Sequence, residues 1–310
     1  MHSAKEYHYA QSQHAEAPQL PARALIVAPS GSGKTVVLVS LICDILRQRN
    51  GQSCFARVYV VSPTIHLDPQ WGHVKAFQRR VMRVSEEEDE QLYMDSYSET
   101  ALLRIIRRQQ AIVALARKKE MRVIPQICLI LDDVADDAAL CRRSQALVSL
   151  FLRGRHQAMT TFLSTQVYRS ICPQIRKNCS CMFIFACRSI AERDALVEEN
   201  SAMAGDKKTM LQLYETATAE PHSFLFINYL APRRDRFWER FTHRLIPGCW
   251  SDSSDESSSG SGAADARRSG GGHTEPARRR RSGNTHSHSR AGPRTGPRGS
   301  STAAASGGGS

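Results

Sequence analysis

Between a short apolar run and a stretch with helical spacing, the chain carries Pro29-Ser30-Gly31-Ser32-Gly33-Lys34-Thr35. Holding a triphosphate takes several backbone N–H groups turned on one anion, a helix amino terminus aimed at it, and a cation for the terminal phosphates. Gly31 and Gly33 let a loop wrap that closely, the Lys34 ammonium supplies the cation, and the Thr35 hydroxyl is placed to ligate Mg²⁺. By average residue usage, a Gly-x-Gly-Lys-Ser/Thr string arises by chance in roughly 1 in 100 chains of this length, so the stretch reads as an ATP site. Ala28 stands where such a loop usually has its first glycine, and it tolerates fewer backbone angles.

A second constellation closes the apolar run Ile127 to Leu131, which ends in Asp132-Asp133. Adjacent like charges at an apolar edge are costly unless a cation is near. With a phosphate loop upstream, Asp132 reads as the carboxylate on the Mg²⁺ side and Asp133 as the base that polarises an attacking water. This base is an Asp where a Glu is usual, one methylene shorter.

The elements that must position these groups alternate. Ala24 to Ala28 reads as a strand entering the loop, and Val36 to Leu46 as the helix leaving it. Val58 to Val61 is a second strand, stopped by Ser62-Pro63. Ser85 with Glu88 forms a capping box, followed by a helical insertion through Leu102, Ile106, Val113 and Leu115. Ile127 to Leu131, Thr160 to Leu163, Met182 to Ala186 and Phe224 to Tyr229 supply further strands. Helices are expected over Leu140 to Phe151, Ile190 to Asn200 and Lys207 to Tyr214. Nearly uniform apolar strands alternating with helices describe an α/β fold: a mainly parallel sheet with helices on both faces, which binds ligands at the strands' carboxyl ends. A strand lying in sequence between the loop strand and the Asp-Asp strand is the arrangement of the additional-strand class of P-loop NTPases.

The order Leu152-Arg153-Gly154-Arg155-His156, a strand, Ser164-Thr165-Gln166, and then Ile175-Arg176-Lys177-Asn178 resembles the FtsK/HerA superfamily of DNA-pumping ATPases. Within it, the order is most similar to the packaging ATPases of poxviruses and other large DNA viruses. The likeness covers roughly Arg23 to Ala186. It implies that Gln166 is the polar sensor of the γ-phosphate and that Arg155 is a finger reaching into a neighbouring subunit's site, with Arg153 a near competitor. Arg176 and Asn178 fit the family pattern, and fit equally a charge and a cap at a helix end. The same likeness implies a homo-oligomeric ring, expected as a hexamer, acting on double-stranded DNA, with capsid or portal-vertex proteins as possible partners.

Composition bounds the rest. The 310-residue chain has a formal charge of +12, to which nine Arg and five acids after Ser251 contribute +4, leaving +8 for the remainder. That balance favours a polyanion. Two basic stretches, Arg104 to Arg122 and Arg233 to Arg240, fit either a DNA channel or a solvated face. Residues 1–20 read as a flexible lead-in, 21–248 as one ATPase domain, and 249–310 as a disordered Ser/Gly/Arg-rich tail. The nine cysteines sit mostly in apolar runs and read as reduced core residues. Neither a membrane span nor a signal peptide is indicated, so an intracellular protein is expected, in the virion or at its assembly site if viral. The expected activity is Mg²⁺-dependent ATP hydrolysis coupled to movement of double-stranded DNA, as in genome packaging. The rivals are a helicase-like or recombination ATPase of the same fold, a small-molecule kinase, and a nucleotide-gated scaffold without turnover.

Overall fold

A computed structural model describes residues 7–134 and 144–247. The tail expected to be disordered, and the first residues of the helix expected from Leu140, lie outside them.

Five strands form where uniform apolar runs were read: β1 (Arg23–Val27), β2 (Arg57–Val61), β4 (Ile127–Leu131), β5 (Met159–Thr165) and β6 (Cys181–Phe185). Each has no exposed residue, and burial of branched and aromatic side chains on both faces is what a sheet covered on both sides requires. A two-residue strand, β3 (Tyr93–Met94), adds to the β2 edge. β7 (Phe224–Asn228), β8 (Phe237–Glu239) and β9 (His243–Leu245) extend the other edge. The order is β3-β2-β4-β5-β1-β6-β7-β8-β9. It is parallel from β3 to β6 and antiparallel from β6 to β9. β5 therefore lies between the glycine-loop strand and the Asp-Asp strand, which is the spatial mark of the additional-strand class.

The helices are α1 (Lys34–Ser40), α2 (Gln70–Val81), α3 (Glu86–Leu92), α4 (Glu99–Lys118), α5 (Gln145–Arg153), α6 (Pro173–Lys177), α7 (Ile190–Ala204) and α8 (Lys207–Ala217). The helix expected over Val36 to Leu46 changes hand-hold midway, passing from α1 into a π-helical turn over Leu41–Ile45. Ser85 does cap α3, but Glu88 leaves the reciprocal half of the box unmade and pairs with Arg57 at 2.7 Å. The core runs along both sheet faces; on the antiparallel side Phe183, Phe224, Phe226 and Phe241 form an aromatic cluster with centroids 4.9–5.8 Å apart.

The lead-in read as flexible is pinned from His8 onward. His8 bridges Val123, Gln11 bonds Leu20 through both its amide atoms, and the Ser12 hydroxyl donates to the Ile45 carbonyl. Buried Ala17 and Leu20 complete the attachment. These partners are 9 to 115 residues away, so no local pattern announces them.

Candidate active site

Strand register builds the site before any side chain is considered. Val61 pairs with Leu131, and Leu131 with Leu163, so the next residue on each strand forms one row: Ser62, Asp132, Ser164. Both flanking hydroxyls donate to the central carboxylate, Ser62 Oγ to Oδ2 at 3.2 Å and Ser164 Oγ to Oδ1 at 2.7 Å. Asp132 is 1% exposed and its pKa is raised, because burial outweighs the opposing charge of Lys34 and the Ser164 hydrogen bond. Its charge is thus under-compensated by the protein's own groups.

Asp133 takes φ 54°, a left-handed setting that Asp tolerates better than most residues, and its N–H donates to Ser164 Oγ at 3.0 Å. Ser164 therefore holds both acids. Lys34, 6% exposed, pairs with Asp133 and stands 3.7 Å from Asp132 Oδ1.

The loop preceding Lys34 is shaped by Gly31 at φ 79° and Gly33 at φ 94°, which a side chain would strain. Ala28, the departure from the usual loop, is accommodated: it is fully buried and its N–H donates to the Thr165 carbonyl at 3.0 Å, extending β1 along β5. Ser32 closes the turn with N–H and Oγ both on the Pro29 carbonyl. A cavity of about 640 Å³ opens over the loop, lined by Gly31, Lys34, Thr35, Thr64, Asp133 and His222 among others. That volume suits a nucleotide.

Four contributors were not read from the sequence. Ser62 and Ser164 were read only as strand ends, Ser164 within the order that carries the resemblance, and register alone makes them partners of Asp132. Arg188 donates to the Ser30 carbonyl at 3.0 Å, and His222 Nδ1 lies 3.1 Å from the Ser32 carbonyl. A carbonyl can only accept, so Nδ1 carries the proton. Both reach the loop from beyond β6, and no motif marks them.

The expected residues divide by place. Pro29, Ser30, Gly31, Gly33, Lys34, Thr35 and Asp133 meet at the cavity. Asp132 stands beside Lys34 of its wall, and Ser32, half-buried, lines the adjoining cleft with Arg188 and His222. Gln166 is exposed one residue past β5, on the same carboxyl edge. Arg155 is elsewhere: it lies exposed in the 3₁₀ turn Gly154–Gln157 ahead of β5, at the amino edge. At about 3.3 Å per residue, the seven residues of β5 put that edge roughly 20 Å from the cavity. Arg153, at the end of α5, shares its side of the sheet. Arg176 is engaged away from the cavity, 3.0 Å from Glu199 Oε1 and 4.8 Å from the Tyr168 ring centroid. Asn178 Nδ2 caps α6 through the Gln174 carbonyl at 2.7 Å.

For Mg²⁺ the donors are hard oxygens, the Thr35 hydroxyl and a buried carboxylate whose charge lacks a full complement, and they fit that ion. The seven described cysteines are free, and no group of three potential metal ligands occurs among the described residues.

A glycine loop between β1 and α1, acids closing β4, and one strand between the two define a P-loop ATPase of the additional-strand class. The chain belongs to the poxvirus A32 protein family, whose model matches residues 10–227. No curated protein matches it. Among solved structures it is similar to B204, the DNA-packaging ATPase from Sulfolobus turreted icosahedral virus (15% identity, 73% of this chain and 98% of that chain, TM-score 0.46). It is also similar to the pCW3 conjugation coupling protein TcpA monomer with ATPγS (14% identity, 73% and 60%, TM-score 0.44).

Proposed function

We propose that the chain hydrolyses ATP with Mg²⁺ and couples turnover to the movement of double-stranded DNA, the work of genome packaging, as a homo-oligomeric ring of six. The observation that carries the hydrolytic part is the convergence of Lys34, Asp132 and Asp133 on the glycine loop. Pro29 to Thr35 bind the phosphates, with Lys34 on the terminal ones. Thr35 and Asp132 hold Mg²⁺, which when bound offsets phosphate charge. Because Lys34 is paired with Asp133, a triphosphate in the cavity competes for the ammonium and frees Asp133 to take a proton from water. Gln166, on the same edge, senses the γ-phosphate.

Arg155 supports the ring. An exposed arginine about a strand's length from its own chain's cavity serves phosphoryl transfer only in another subunit's site. Membership of the A32 family and the charge of +12 support a DNA substrate.

The test is steady-state turnover with and without linear duplex at low salt, with Asp133→Asn as the blank. Stimulation by duplex and little by single strands is expected. Turnover indifferent to DNA overturns the translocase, and ATP binding without turnover leaves a gated scaffold.

A further inference from the structure

Helix α4 sets one face of unlike composition against the rest of the surface. Its 20 residues bury Leu102, Ile105, Ile106, Gln109, Val113 and Ala116. The opposite face, at positions 104, 107, 108, 111, 115 and 118, presents Arg104, Arg107, Arg108 and Lys118 around small or apolar residues, all exposed. Between Glu99 and Lys118 there is no carboxylate at all. None of these four cations forms an ion pair with a described residue.

A face kept merely soluble intersperses signs, because opposite charges at i, i+4 support a helix and like charges oppose it. Here Arg104 and Arg108 are a like-charged i, i+4 pair with Arg107 beside them, an arrangement that works against the helix unless an anion lies across it. The helix is about 30 Å long, a length that a row of backbone phosphates spaced a few ångströms apart can follow.

The underside of α4 leads to the proposed finger. Val113, Ala116, Ile124 and Ala158 form a small buried cluster separate from the main core, with Tyr7 and Tyr9 against it. Ala158 ends the turn that carries Arg155, and Gln109 Nε2 donates to the Pro125 carbonyl at 2.8 Å and the Ala158 carbonyl at 3.4 Å. The Tyr9 hydroxyl donates to the Arg155 carbonyl at 3.4 Å, and Arg117 lies over the Tyr7 ring at 5.8 Å. The helix, the amino-terminal segment and the Arg155 turn thus share one anchorage.

We propose that the exposed basic face of α4 binds the phosphate backbone of duplex DNA, and that the cluster beneath it links this contact to the setting of the Arg155 turn. The proposal rests on the DNA-coupled reading above. Phosphate contacts are sequence-independent, which a motor that must travel along any sequence requires.

The experiment compares the full chain with Arg104→Gln/Arg107→Gln/Arg108→Gln, measuring duplex affinity across a salt series and turnover with and without duplex. The triple variant is expected to reduce the log–log salt slope by about three and to lose duplex stimulation, with turnover in the absence of DNA unchanged. Arg233→Gln/Arg234→Gln, exposed arginines between β7 and β8 at the end of the strand order away from β3, should leave both intact. Tyr9→Ala should keep duplex affinity and lower only the stimulated turnover; stimulation left whole in Tyr9→Ala overturns the link. If wild type binds duplex and the triple variant keeps its slope and stimulation, the α4 surface is wrong while the ATPase reading stands. If wild type binds no duplex, the α4 surface and the DNA-coupled reading fall together, and the ATPase reading is judged by turnover alone.

Discussion

The hydroxyl of Ser164 donates to Asp132 Oδ1 at 2.7 Å while accepting the Asp133 N–H at 3.0 Å, so one side chain of β5 fixes both acids at the end of β4. The first bond satisfies a buried carboxylate, and the second helps keep Asp133 left-handed at φ 54°. Hydrogen bonds to charged groups contribute about 1.5–3 kcal/mol. Ser164→Ala is therefore expected to lower the melting temperature by several degrees and to cut turnover at saturating ATP. A variant that melts lower yet turns over normally would show that Asp133 does not depend on this hydroxyl.

Arg188 and His222 grip alternate carbonyls of the phosphate loop, those of Ser30 and Ser32. A loop that must present its N–H groups to phosphate gains from having its carbonyls held outward beforehand, since ordering costs are then met before binding. A neutral hydrogen bond contributes about 1 kcal/mol, so His222→Ala is expected to weaken ATP binding roughly fivefold. Arg188→Ala, whose bond is charge-assisted, should weaken it more. Nucleotide titration calorimetry reads both, and unaltered affinity in the pair of variants removes the grip from the account.

Arg155 can be assigned to a neighbour's site by complementation. Loss of an arginine finger costs about 10³–10⁵ in rate, so Arg155→Ala and Lys34→Ala should each be inactive alone. Mixed in one ring, an Arg155→Ala subunit keeps its own loop and borrows Arg155 from an adjacent Lys34→Ala subunit. Recovery of turnover on mixing is the expected result. Two inactive proteins that stay inactive together, with ring assembly verified, place the finger in cis or on another residue such as Arg153.

Much of this site was legible because it lies on uniform runs. β4 is apolar throughout, β1 is apolar after Arg23, β5 holds Phe162-Leu163 between hydroxyl pairs, and polar residues stand at or just past each carboxyl end. β3, β8 and β9 were not legible, being two or three residues long and partly exposed, with His243 and Arg244 in place of an apolar stripe. They exist because neighbouring strands offer them an edge. Ser62, Ser164, Arg188 and His222 escaped for a related reason: each acts through a partner 32 to 190 residues away, which register and loop closure decide and spacing does not. The attachment of His8 to Val123 and of Ser12 to Ile45 is of the same kind. The finger role proposed for Arg155 comes from likeness to a family alone, since its own chain gives it no site partner.

Lys34 gives the last prediction, through the acid it stands beside. In the folded chain burial raises the Asp132 pKa above its ordinary 3.8, and Lys34 is the largest influence opposing that rise. Lys34→Ala leaves the carboxylate, 1% exposed in the wild-type chain, with only hydroxyl donors, and breaking a buried charge pair typically costs about 3–5 kcal/mol. Because the variant's Asp132 pKa rises further, the folded state binds a proton that the unfolded chain has already released. Stability then falls as pH rises from the unfolded pKa through the folded one, and is regained as pH falls. The melting temperature of Lys34→Ala should accordingly lag wild type most at neutral pH and above, and approach it as the pH drops toward the ordinary carboxylate range. Asp132→Asn in the same background removes the titrating group, so the gap should lose its pH dependence. A Lys34→Ala deficit that is constant with pH would show that Asp132 is not the group the lysine compensates.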